Sequence, residues 1–170
     1  TGGIAINNIA ANDKVNGVAA TLGTAGNATV ATSGTWPVGI TLNTTTGAIT
    51  VAAGTVPGTY PVTYVLCDKL IPQTCATITD TIVVYPVTNT LTPITREDST
   101  INICVPQLSN MGAGATISSC GAPLHGTFNT SNFSTTGCIS YTPSINYVGK
   151  DTACIVICNN GVCDTTRFII

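Results

Sequence analysis

The chain closes twice in the same way, and that repetition limits what it can fold into. Residues 151–170, DTACIVICNNGVCDTTRFII, read as an apolar strand, a short turn flanked by Cys158 and Cys163, and a Thr-rich strand. Residues 58–85, GTYPVTYVLCDKLIPQTCATITDTIVVY, read the same way, with Cys67 and Cys75 beside the turn. Cys67 follows Gly58 by nine residues, Cys158 follows Gly149 by nine, and the two leading cysteines are 91 positions apart. A period of that size points to tandem domains, and a chain of 170 residues has room for two. The expected domains are residues 1–86 and 87–170. Residues 85–95, YPVTNTLTPIT, form the Pro-containing linker between them, expected to act as a semi-rigid joint.

Only 7% of residues are charged, against about 25% in ordinary domains. Hydrophobic residues make up 44%, which is enough to form cores rather than a disordered chain. No run approaches the roughly 18 apolar residues of a membrane helix, so no membrane insertion of this segment is expected. Thr, Val, Ile and Gly dominate, while Leu, Glu, Lys and Met are scarce. β-branched residues suit a pleated, half-buried surface, so the composition is that of strands. The net charge of −2 and the five scattered cations, Lys14, Lys69, Arg96, Lys150 and Arg167, offer no nucleic-acid face. Eight cysteines, an even number, read as disulfides in an oxidising, extracytoplasmic setting. The chain begins TGGIAINN and stops at Phe168-Ile169-Ile170 within a strand-like run; both ends read as cuts in a longer exported protein.

Strands are expected over residues 3–9, 18–22, 28–31, 38–42, 48–52, 58–67 and 76–85. A second set is expected over 100–105, 116–119, 126–130, 138–142, 152–158 and 165–170. Gly, Asn and Thr clusters separate them, and no helix is expected.

Pro37–Ile49 follows the pattern P-x-G-(I/L)-T-L-N-x-x-T-G-x-I, and Pro57–Thr63 follows P-G-T-Y-x-V-T. These residues resemble an immunoglobulin-like family of bacterial surface proteins. Glu97-Asp98-Ser99-Thr100, the stretch APLHGT at 122–127 and the stretch YTPSINYVGKDT at 141–152 resemble cadherin-like bacterial Ig repeats of very long adhesins. With its hairpin cysteines, the chain is most similar to tandem repeats of a very large Bacteroidetes cell-surface adhesin of the gliding-motility type. The resemblance implies an all-β fold: two tandem antiparallel Ig-like, cadherin-like β-sandwich domains. It implies a non-catalytic stalk, extracellular and attached to the outer membrane in the full-length protein. Its partners would be neighbouring repeats of the same chain and an external surface or polysaccharide, held through many weak contacts.

Cys67 with Cys75, and Cys158 with Cys163, flank turns and should bridge their hairpins. Cys104, Cys120, Cys138 and Cys154 allow three connectivities. Alternation turns Ile101, Ile103 and Val105 inward and Cys104 outward; it turns Ile139 and Tyr141 inward and Cys138 outward. Ig-like topology then favours 104–138 with 120–154. A zinc site is disfavoured, because no C-x-x-C pair exists and the lone histidine, His125, sits in a turn. The cadherin-like resemblance raises calcium at Glu97, Asp98 and Asp151. Calcium takes about six to eight oxygen ligands, and the chain has seven acids in all. The competing reading gives those three residues turn and cap hydrogen bonds.

One histidine leaves a serine triad without support, and no phosphate-binding glycine loop precedes a helix, so the chain is expected not to be an enzyme. Most aromatics fall on inward positions, with Tyr147 at a corner before the penultimate strand. Phe133, between Asn132 and Ser134 in a polar loop, is expected to be exposed. The alternatives are a carbohydrate- or ligand-binding module and an accessory β-sandwich domain of a secreted enzyme.

Overall fold

A computed structural model describes residues 2–86, 90–104 and 114–170. The chain divides into two compact units, residues 1–55 with 59–83, and residues 56–58 with 84–170. Among the described residues nearly all regular structure is β, with one four-residue helix.

The first unit contains β1 (Gly3–Ile6), β2 (Lys14–Val15), β3 (Val18–Ala19), β4 (Ala28–Thr32), β5 (Ile40–Leu42), β6 (Ile49–Val51), β7 (Gly58–Asp68) and β8 (Cys75–Val84). They form the sheets β1-β6-β5, β2-β3 and β4-β7-β8. Local chemistry sets the β5–β6 hairpin. The Asn43 side-chain oxygen accepts the amides of Thr45 and Thr46 at 2.9 and 3.1 Å, and Gly47 takes a φ of 77°. An Asx turn followed by a left-handed glycine returns the chain at once. Ile40 and Ile49 are then buried, while the Thr41 and Thr50 hydroxyls meet at 2.7 Å on the outer face. Val62 and Tyr64 of β7 and Ile82 of β8 are buried by the same period of two.

The strand expected over 18–22 is shorter, stopping at Ala19. Asn27 is the reason: its side chain accepts the Thr21 amide at 2.8 Å and donates to the Ala19 carbonyl at 3.1 Å. Those groups are thereby withdrawn from sheet pairing. Ala20 instead joins Ala10 and Ala28 in a small apolar cluster.

The second unit contains β9 (Thr90–Leu91), β10 (Ile101–Cys104), β11 (Thr116–Gly121), β12 (Gly126–Asn129), α1 (Phe133–Thr136), β13 (Cys138–Pro143), β14 (Thr152–Asn159) and β15 (Val162–Ile169). The sheets are β10-β13-β12 and β11-β14-β15-β9. Ile103, Ile139 and Tyr141 from the first sheet pack with Ala153, Ile155, Ile157 and Phe168 from the second. That is a sandwich with one shared core. Phe128 ties it together, meeting Tyr141 and Phe168 edge-on at centroid distances of 5.7 and 5.2 Å. Asn160 and Gly161, with φ of 47° and 77°, form the two-residue turn that sets Cys158 opposite Cys163. Val105, expected in the strand with Cys104, lies outside the described residues.

Two expectations change here. Phe133 is 1% exposed. The segment is a single helical turn ended by Gly137 at a φ of 72°, and that turn carries the ring into the core. Part of the expected linker is also a strand: β9 runs parallel to β15, with Thr90 opposite Arg167 and Leu91 opposite Phe168.

Candidate functional site

The densest polar arrangement centres on Asp151. Its side chain is buried, and both carboxylate oxygens are occupied. The amides of Leu124 and Thr152 donate to Oδ1 at 3.0 and 2.9 Å. The His125 amide and the Tyr141 hydroxyl donate to Oδ2 at 2.9 and 3.0 Å. The Asp151 backbone pairs with Ile170 in both directions, at 2.9 and 2.8 Å. One carboxylate therefore holds the turn before β12, the strand β13 and the start of β14. Gly126 makes this geometry reachable: a Cβ there would sit 2.6 Å from Tyr141 Cζ, so only glycine lets the ring lie across the backbone.

Burial works to raise the Asp151 pKa, but the amides of His125 and Leu124, the Tyr141 hydroxyl and the Thr152 amide outweigh it and hold it below 3.8. The folded value lies under the unfolded one. The stabilisation is thus complete above the unfolded value and is lost as pH falls through the folded one. Tyr141 is pushed up to about 12 by burial, then by its bond to Asp151; Tyr64 is pushed up to about 12 by burial, then by Asp80. Their contribution is full below pH 10 and lost as pH rises towards 12. Urea midpoints are expected to stay flat from pH 5 to 9 and to drop on both sides, the acid limb disappearing in Asp151→Asn.

Next to this hub lies a groove of about 460 Å³ lined by residues 92–97, Tyr141, Pro143, residues 147–150, Ile169 and Ile170. Arg96, Glu97 and Lys150 supply its charge, and Ile94 and Val148 are exposed apolar walls. Tyr147 sits at its edge. Its hydroxyl donates to the Lys150 carbonyl at 2.8 Å, and its ring stacks on His125 at 4.2 Å and 12°.

The three acids grouped for calcium are not gathered. Asp151 spends its oxygens on four protein donors, and Asp98 accepts the Asn146 amide at 2.8 Å. Among the described residues, no three His, Cys, Asp or Glu side chains converge as metal ligands do. Chelation with EDTA is expected to leave the thermal midpoint unchanged. A drop of several degrees would show that a cation displaces these donors. His125 meets Asp151 through its backbone amide while its ring stacks on Tyr147, so the pair is not an imidazole–carboxylate dyad. The Tyr141–Asp151 bond was not anticipated from sequence; the signal present was an acid beside an apolar run, Asp151 before Ala153, Ile155 and Ile157.

The eight cysteines form four disulfides. Cys67–Cys75 and Cys158–Cys163 close the two final hairpins over separations of 8 and 5 residues. Cys104–Cys138 joins β10 to β13 and Cys120–Cys154 joins β11 to β14, each over 34 residues. Each sheet of the second unit thus carries one long-range staple.

No family model matches the chain, and no curated protein does. Among solved structures, the chain is similar to the endo-fucoidan hydrolase MfFcnA4 of glycoside hydrolase family 107. The identity is 14% and the TM-score 0.38, over 85% of this chain and 23% of that one. It is also similar to three extracellular domains of human CDH23, EC21-23, at 16% identity and a TM-score of 0.32, over 84% of this chain and 51% of that one. The extracellular domain of protocadherin GammaB4 gives 13% and 0.29, over 88% and 29%. The chain spans about a quarter of the hydrolase's length, and likenesses at these TM-scores carry no argument. The structure itself defines the class: an all-β chain, cross-linked by four disulfides, of the kind that folds in an oxidising, extracytoplasmic compartment.

Proposed function

We propose that the chain is a pair of non-catalytic extracellular repeat modules in the stalk of a long cell-surface adhesin. The adhesin would serve gliding motility and surface attachment and would be anchored at the outer membrane. The observation that carries this reading is the placement of the staples. Both closing hairpins are tied at their mouths, and the second unit has a 34-residue staple in each sheet. A chain that bears tension needs segments that cannot pay out, and residues inside a disulfide loop cannot extend. Threonine on the outer faces keeps the surface polar while charge stays at 7%. The modules are Ig-like, cadherin-like sandwiches meeting near residue 86, with neighbouring repeats as partners. An external polysaccharide would be held by many weak contacts.

A second reading, a carbohydrate- or ligand-binding module, rests on the groove with Arg96, Lys150 and Tyr147. An accessory domain of a secreted enzyme is the third. Sequencing the complete reading frame that contains this segment tests all three. Many similar Cys-stapled units in series are expected; a single catalytic domain beside this segment would overturn the stalk reading. Retention on immobilised polysaccharide that is lost in Arg96→Ala/Lys150→Ala would favour the binding module.

A further inference from the structure

The two bridges that span 34 residues differ in their surroundings. Cys104 and Cys138 stand directly opposite each other on β10 and β13, and the described residues around them, such as Asn102, Asn129 and Thr136, carry no charge. Cys120 and Cys154 meet at an irregularity instead. The register of β11 steps from Ser119 opposite Ile155 to Gly121 opposite Cys154, so Cys120 is the extra residue of a bulge. Cys120 is exposed and Cys154 half-buried. Both line an open hollow of about 840 Å³, wide enough to admit a small molecule. Gly121 keeps the approach clear: a Cβ there would lie 3.4 Å from the Cys154 sulfur.

Arg167 is the one charged residue among those described that line this hollow, and it stands opposite Cys154 on β15. Close and wide pairs alternate along an antiparallel ladder with a period of two residues. Cys158 and Cys163 form a close pair, with Cα atoms 4.0 Å apart. Arg167 lies four residues beyond Cys163 in unbroken register, so it faces Cys154 in a close pair too. We propose that Cys120–Cys154 is a thiol-exchange site for small anionic thiols, opening ahead of Cys104–Cys138. The incoming thiolate attacks the exposed Cys120 sulfur. The disulfide breaks, its electron pair leaves on Cys154, and a mixed disulfide forms at Cys120. One S–S bond replaces another, so no oxidant is consumed. Arg167 acts twice: it draws the anionic thiol into the hollow, and it favours the thiolate that departs on Cys154. Attack by Cys154 on the mixed disulfide reverses the step. While open, the site leaves β11 without its covalent tie to β14.

The test incubates the 170-residue chain with reduced glutathione in the absence of denaturant, blocks free thiols with iodoacetamide and maps the peptides by mass. Glutathione on Cys120 with a blocked thiol at Cys154 is expected to form at least about tenfold faster than Cys104–Cys138 opens. Equal rates at the two bridges overturn the proposal, and so does glutathione found on Cys154 in place of Cys120. Arg167→Gln should slow the exchange at least about threefold, while Arg167→Lys keeps most of the rate. An unchanged rate in Arg167→Gln contradicts the role given to the guanidinium. A variant that merely loosens the fold is told apart, because Cys104–Cys138 would then open faster as well. If Arg167→Gln does not fold, the parent chain decides, by the ratio of opening rates at the two bridges with glutathione and with neutral 2-mercaptoethanol. A larger ratio with glutathione supports the site; equal ratios overturn it.

Discussion

Asp151→Ala is expected to lower the stability of the second unit by about 3–5 kcal/mol. Two effects add. The substitution removes the acceptor that Leu124, His125, Thr152 and Tyr141 share, leaving three partly buried amides without it and the Tyr141 hydroxyl with only the His125 carbonyl at 3.3 Å. It also opens a void where the carboxylate stood, beneath a Tyr141 ring that is 1% exposed. For a domain of this size each kcal/mol moves the midpoint by about 4–8 °C, so a fall of more than about 12 °C is predicted. Tyr141→Phe removes one donor and leaves three, and should cost about 1 kcal/mol. Differential scanning calorimetry of the three chains measures the order. Equal midpoints for Asp151→Ala and the parent would mean that the carboxylate hub contributes nothing.

The second large effect concerns the long staples. Replacing Cys104 and Cys138, or Cys120 and Cys154, by alanine removes a 34-residue loop constraint. The chain-entropy estimate gives about 4 kcal/mol for each. The same estimate gives about 2 kcal/mol for the five-residue loop of Cys158–Cys163. The two long staples sit in opposite sheets, so each holds strand pairs distant in sequence that the other leaves free. Denaturant midpoints should therefore fall about twice as far for either long pair as for the hairpin pair. A hairpin-pair loss equal to a long-pair loss would show that the constraint on the unfolded chain is not what stabilises the unit.

The all-β fold was readable because its signal is local. Thr, Val and Ile at a period of two, broken by Gly and Asn, leave few alternatives to strands, and Ile103 beside Cys104 already states which side chain faces in. Phe133 was misread because a four-residue helix has no periodicity to detect, and only the left-handed Gly137 that ends it distinguishes it from a polar loop. Thr90–Leu91 looked like linker because two residues between prolines carry no alternation; the edge of β15, where their partners lie 77 residues away, makes them a strand. The Asp151 hub was hidden for a related reason. Its donors come from residues 124, 125 and 141 as well as from its neighbour, and nothing in the spacing of those residues announces that they converge.

If the chain holds its length under load, as proposed, pulling it by its ends measures that directly. In the oxidised chain the overlapping 34-residue loops let tension bypass one of them, and the hairpin bonds exclude 8 and 5 residues more. Reduction should free those segments and lengthen the fully unfolded chain by roughly 160 Å, at about 3.4 Å per residue. Equal contour lengths before and after reduction would contradict the account.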